Sequence, residues 1–248
     1  MNGLTVDTAF RVFPWIGSAA AVVLVVLLFG TRVLQSGPDV SRWHDRLWLS
    51  WAAVVAYLLH NVEEYGIDLF GRQLGFPDGF CALLNQPPFP DCSIPPLFFM
   101  AVNIPLFWIA APIAALMSRR HALVGLVLYG VIFVNALLHI VPFLAGGGYS
   151  SGTLTAIVLF VPMSIWIGRT CFGPGKMRYS ALMLLIVLGV LGHVMLMAPL
   201  QMFLHGWIGE RALVVSQLLN PMLLLLTPWL AERWKDGTWL EPPPRRAN

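Results

Sequence analysis

The run His60-Asn61-Val62-Glu63-Glu64 places one imidazole and two carboxylates within five residues. On an α-helix, positions i, i+3 and i+4 share a face. His60, Glu63 and Glu64 therefore converge, with Tyr57 one turn earlier. An imidazole with one or two carboxylates is half of a first-row metal site, suited to zinc, iron or manganese. Asn135 and His139 repeat the i, i+4 spacing further along the chain. His193 lies beside Gly189 and Gly192, small residues that let helices approach closely. The expected metal ligands are His60, His139 and Glu63, with His193 as a further ligand or acid/base. Glu64 is the expected general base on a metal-held water, whose pKa a divalent ion lowers toward about 7. Asn135 is expected to orient a ligand or the substrate.

A second stretch, Gly146-Gly147-Gly148-Tyr149-Ser150-Ser151-Gly152-Thr153, precedes an apolar run. Ser or Thr at that place is an N-cap signature. A helix start also offers free N–H groups to an anion, so Tyr149 and those N–H groups are expected to stabilise a developing negative charge. The plainer reading, an ordinary cap, stays open here.

These residues must be held by membrane helices. The 248 residues are 58% hydrophobic and 11% charged, whereas soluble domains carry about 25% charged residues. Apolar runs recur at the length of about 20 residues that crosses a bilayer. Spans are expected at 13–34, 47–65, 95–117, 121–144, 153–171, 179–200 and 212–231. Backbone groups in lipid must be satisfied within the segment, so all seven are helices. The fold class is all-α, a polytopic membrane protein with one domain over 1–240 and a disordered cytoplasmic tail over 241–248. Repeated halves are absent, as are the alternating segments of a β-barrel.

The basic residues orient the bundle. Arg32, Arg42, Arg46, Arg119, Arg120, Arg169, Lys176, Arg178, Arg233, Lys235, Arg245 and Arg246 fall on one side, leaving Arg11, Arg72 and Arg211 on the other. The positive-inside rule then puts the N-terminus outside and the C-terminus in the cytoplasm. The first span lacks a basic leader and exceeds a signal-peptide core of about 7–15 residues, so it is expected to be retained. Most tryptophans, Trp15, Trp43 and Trp229 among them, fall near span ends as an interfacial belt. The scattered basic residues give no argument for nucleic-acid binding. On this topology Cys81 and Cys92 share an outer loop, in a compartment that permits a disulfide, and Cys171 stays reduced inside. His60 and His139 lie about five residues, or roughly 7–8 Å, from the outer ends of their helices. His193 and Asn103 come out slightly deeper, so four helices bring polar residues to one layer. Asn103 and Asn220 read as interhelical hydrogen-bond residues, and His44, His121 and His205 as solvated.

Together these stretches resemble the HXXEE family of bacterial membrane proteins, from about residue 50 to 155. The namesake motif is His60-Asn61-Val62-Glu63-Glu64. The family's Asn-x-x-x-His motif is Asn135 to His139, and Tyr149-Ser150-Ser151-Gly152 stands where the family has a Tyr-Ser-Pro-Gly-like motif. The resemblance implies that these polar residues are the functional core, and it implies no reaction, since the family's activity is undefined. A His-Glu-x-x-His zinc protease motif is absent, the histidines are too few for a membrane desaturase, and Asp68 stands where type II prenyl-protein proteases have Arg.

The leading expectation is a metal-dependent enzyme, hydrolase-like, acting on a lipid or other hydrophobic substrate at the outer side of the bacterial inner membrane. Membrane lipids are then its surroundings and a divalent ion (Zn, Fe or Mn) its cofactor. A proton- or cation-coupled carrier also uses buried Glu/His groups, but the inner halves of the spans are nearly all apolar. An accessory membrane protein with a structural polar cluster is the third reading.

Overall fold

A computed structural model describes residues 2–234 and Trp239; the tail expected at 241–248 lies outside the described residues. Eight helices follow in order. They are α1 (Asn2–Gly30), α2 (Arg46–Asn61, continuing through a wide π turn at Val62–Gly66), α3 (Gly75–Leu83), α4 (Pro96–Met117), α5 (Ala122–Gly147), α6 (Thr153–Cys171), α7 (Tyr179–Leu204) and α8 (Glu210–Trp234). No strand occurs among the described residues; two isolated bridges, Ile67–Gln73 and Phe172–Met177, close short loops. The all-α polytopic architecture expected from the apolar runs is what the chain forms.

Six helices are long and apolar enough to cross a membrane: α1 from Val6, α4, α5, α6, α7 and α8. The first begins and ends earlier than the expected 13–34, because Thr31 turns back to hydrogen-bond the Leu27 carbonyl and the chain leaves the helix at Gly30. The expected second span, 47–65, is α2, and it does not belong to this apolar set. Its 16 α-helical and 5 π-turn residues rise by about 30 Å, so length is not the reason. Its neighbours enclose it. Leu47–Ser50, Ala53–Leu58, His60 and Asn61 are buried, and a helix walled off from lipid can carry polar side chains. The outer helices show the reverse pattern: α1 exposes Val22, Val23, Val26 and Phe29, and α7 exposes Val187, Val190, Leu191 and Val194. Contiguous apolar surface of that kind is costly in water and favourable against acyl chains.

Side chains tie the centre together. Trp48 donates to the Leu28 carbonyl at 2.9 Å, joining α2 to α1, and Tyr129 donates to the Leu49 carbonyl at 2.8 Å, joining α5 to α2. Asp45 caps α2 by accepting from the Leu47 N–H at 2.9 Å. Helices α5 and α7 touch backbone to backbone: a Cβ on Gly130 would strike the Leu185 carbonyl, and one on Gly189 the Gly130 carbonyl. Asn220 on α8 donates to the Gly192 carbonyl at 3.0 Å, and Asn103 on α4 donates to the Tyr65 hydroxyl at 3.1 Å. Both act between helices or segments, as their type suggested.

At the end of the bundle where α2 finishes, an aromatic cluster of Phe10, Phe13, Tyr65, Phe98 and Phe99 lies under the 66–95 segment. Cys81 and Cys92 are bridged there, with Cα atoms 6.1 Å apart. Cys171 is free and buried.

Candidate metal centre

The motif ends in the π turn at Val62–Gly66. The two glutamates, adjacent in sequence, point in different directions. Glu64 stays beneath His60; Glu63 is turned toward α6.

Glu64 Oε1 lies 3.2 Å from His60 Nε2 and 3.3 Å from His139 Nε2. The three potential ligand atoms all fall within 4.8 Å of one another, and all three residues are buried. Two donors bound to one ion at about 2.1 Å each, at a tetrahedral angle, stand about 3.4 Å apart. The two measured separations match that value, so the group can hold a metal ion. The imidazoles meet edge to face, 5.1 Å between centroids at 81°. His60 is further walled by Phe160 at 4.5 Å and Tyr57 at 5.5 Å.

Hydrogen-bond accounting sharpens this. His60 Nδ1 is 2.7 Å from Thr155 Oγ1, and Thr155 Oγ1 is 2.5 Å from Glu63 Oε2. A hydroxyl carries one proton, and the carboxylate is its stronger acceptor. Thr155 therefore donates to Glu63 and accepts from His60 Nδ1–H. His60 Nε2, 3.2 Å from Glu64 Oε1, is buried with no hydrogen-bond partner. Either a proton on that nitrogen or a cation shared with the carboxylate satisfies the pair. The chain Glu63–Thr155–His60 is the outer-shell arrangement that fixes a ligating imidazole's tautomer and orientation.

Glu63 was expected as a ligand and Glu64 as the base; it is Glu64, not Glu63, that stands with His60 and His139. Glu63 accepts from Tyr149 Oη at 2.6 Å, from the Leu154 N–H at 2.9 Å, and from the Thr155 N–H at 2.7 Å and its hydroxyl. A carboxylate has about four lone-pair sites, and all are taken. The helix start expected to meet a substrate anion instead holds this side chain: the Leu154 and Thr155 N–H groups and Tyr149 are committed to Glu63.

The 148–152 segment covers the centre. Tyr149 packs edge to face on Phe70, 5.0 Å between centroids, and Ser151 donates to Asp68 at 2.9 Å. Gly152 has φ +101°, and a Cβ there would lie 2.8 Å from His139 Nε2 and 2.9 Å from His60 Cε1. Only glycine can close over the imidazoles. Burial and the Glu63 carboxylate push the Tyr149 phenol above its ordinary pKa, so it remains a donor. Asp68 is held below the ordinary carboxylate range: burial opposes this, but the Arg72 N–H, Ser151 hydroxyl, Arg72 guanidinium and Phe70 N–H outweigh it.

His193 is half-buried on α7. Its Nδ1 contacts the Gly189 carbonyl at 2.8 Å, and it stands outside the three-residue group. Asn135 Oδ1 is buried without a partner, and so are both polar side-chain atoms of Asn61. Asn61 sits inside the motif but was not singled out from sequence. Thr155, Asp68 and Ser151 were not singled out from sequence as site residues; hydroxyls one turn into a helix that starts beside two carboxylates were the available signal. His44 and His205 are exposed, but His121 is not simply solvated: its Nδ1 lies 2.8 Å from Glu232.

Residues 51–167 match the family described as "Protein of unknown function with HXXEE motif". No curated protein and no solved structure matches the chain.

Proposed function

From the premise that residues 51–167 are an HXXEE domain, we propose that this protein is a metal-dependent membrane enzyme that hydrolyses a lipid or similarly hydrophobic substrate. One observation carries the reading: two imidazole nitrogens and a carboxylate oxygen of buried residues converge within 4.8 Å of one another, at separations that fit a shared ion. His60, Glu64 and His139 are the proposed ligands. Two nitrogens and one oxygen suit zinc, iron or manganese, and three protein ligands leave the open position that catalytic sites keep. Bound there, the ion supplies Lewis-acid chemistry and a water of lowered pKa, near about 7.

The chain's own residues supply the rest. Thr155 and Glu63 orient His60. His193, on the helix packed against α5, is the acid/base candidate. Asn135, one turn before His139, presents an unpartnered carbonyl oxygen for a ligand or substrate group. Substrate class follows from the surroundings. Leu137, Leu138 and Val141 flank His139 on α5, and Leu154, Ile157 and Val158 lie on α6, all exposed. In a bilayer that surface faces acyl chains, so a substrate reaches the site sideways from the membrane. The charge bias supports a site at the outer side of the membrane, which we take to be the bacterial inner membrane.

Purified protein loaded with Zn, Fe or Mn and mixed with lipid vesicles tests this reading. Mass spectrometry of the lipid should show a hydrolysis product that a chelator abolishes. Unchanged lipids of every class, with the metal bound, would sink the enzyme reading.

A further inference from the structure

At the end of the bundle away from the His/Glu group, four arginines from three distant stretches of chain line one cleft. Arg46 begins α2, Arg119 and Arg120 sit between α4 and α5, and Arg233 ends α8. His60 lies 14 positions after Arg46 on the same helix, about 21 Å along its axis. The cleft, half open to its surroundings, has a volume of roughly 370 Å³, and His121, Ser118 and Trp239 are also among the residues that line it.

Charge is unbalanced there. Glu232 is the one carboxylate lining the cleft among the described residues. Its oxygens already accept from His121 Nδ1 at 2.8 Å and from the Leu123 N–H at the start of α5 at 2.5 Å. Arg233 stacks on Trp229, 4.1 Å from the ring centroid, which fixes its direction without neutralising it. Four exposed arginines around one cleft give it a positive potential that an anion would meet. The positive-inside bias explains why arginines lie on one side of a membrane; it does not explain why they meet around a cavity.

We propose that this cleft binds a phosphate group. Arginine's planar fork pairs two N–H groups with phosphate oxygens. Basic pockets between helix ends also recognise anionic phospholipid headgroups. The phosphate belongs to such a headgroup or to a free phosphate in solution, and both present the same oxygens to the same guanidinium groups.

Thermal unfolding of the full chain in detergent, followed by tryptophan fluorescence, separates the outcomes. Phosphatidylglycerol should raise the midpoint by about 5 °C, as saturating ligand does for a protein of this size, and phosphatidylcholine should not. If inorganic phosphate alone reproduces the rise, the ligand is soluble; if only the lipid does, it is a headgroup. Both results support the site. The rise should vanish in Arg119→Gln/Arg120→Gln and in Arg233→Gln. Should either variant fail to fold, native mass spectrometry of the wild type takes its place, with one retained phosphatidylglycerol expected per chain. Equal response to both lipids and none to phosphate, or a rise undiminished in folded variants, would overturn the proposal.

Discussion

Tyr149 donates its phenolic proton to Glu63 at 2.6 Å across 86 residues of sequence. This bond pins the segment that covers the imidazoles to the motif that supplies one of them. It also assigns the two adjacent glutamates to different tasks, Glu63 to the cover and Glu64 to the centre.

Removing that proton donor should weaken the cover and leave the centre intact. A hydrogen bond to a charged group contributes about 1.5–3 kcal/mol, and Tyr149 is half-buried, so Tyr149→Phe should cost about 1–2 kcal/mol. Denaturant unfolding checks the cost, and the metal content should match that of the wild type.

Gly152 admits no side chain. A left-handed backbone costs an L-residue about 1–2 kcal/mol, and overpacking adds about 1–3 kcal/mol. Gly152→Ala should therefore lose about 2–4 kcal/mol of stability and most of its metal, since the methyl group enters the space beside His139 Nε2. Unfolding curves read with metal analysis check both effects; a stable, fully metallated variant would show that the loop does not close as described.

The Asp68–Ser151 contact carries a pH dependence with a definite sign. Asp68 titrates lower when folded than its ordinary value of about 3.9. Its contribution is thus complete above that value and is lost as pH falls through the folded pKa. Proteolysis or hydrogen exchange at 148–152 should be slow from neutral pH down to about 4 and accelerate below it. In Asp68→Asn the segment should be open at neutral pH already.

His193 should be dispensable for metal binding, because it stands outside the three-residue group. His193→Ala is expected to keep its ion and lose turnover. Loss of the ion would instead make it a fourth ligand.

Much of this architecture was legible in the sequence. Apolar runs gave the helices, and equal depth brought His60 and His139 to one layer. The spacing put both glutamates near His60 and could not choose between them; Glu64, four residues on, stands beside His60 and His139, and Glu63 meets Tyr149 and the start of α6. The role of Thr155 was hidden for another reason: its contacts with His60 and Glu63 join residues more than ninety positions apart. Helix α2 was expected as a span; it is not among the six long apolar helices, and its polar residues are buried among the others. The convergence of Arg46, Arg119, Arg120 and Arg233 on one cleft could not be read from loop charges, which fix a side of the membrane and not a position on it.

The most direct test is metal stoichiometry in detergent-purified protein, comparing wild type with His60→Ala, Glu64→Gln and Glu63→Gln. About one ion per chain is expected in the wild type, lost in His60→Ala and Glu64→Gln and largely kept in Glu63→Gln. A wild type that binds none of zinc, iron or manganese, or a Glu64→Gln variant that retains the ion while Glu63→Gln loses it, would contradict the assignment of the centre.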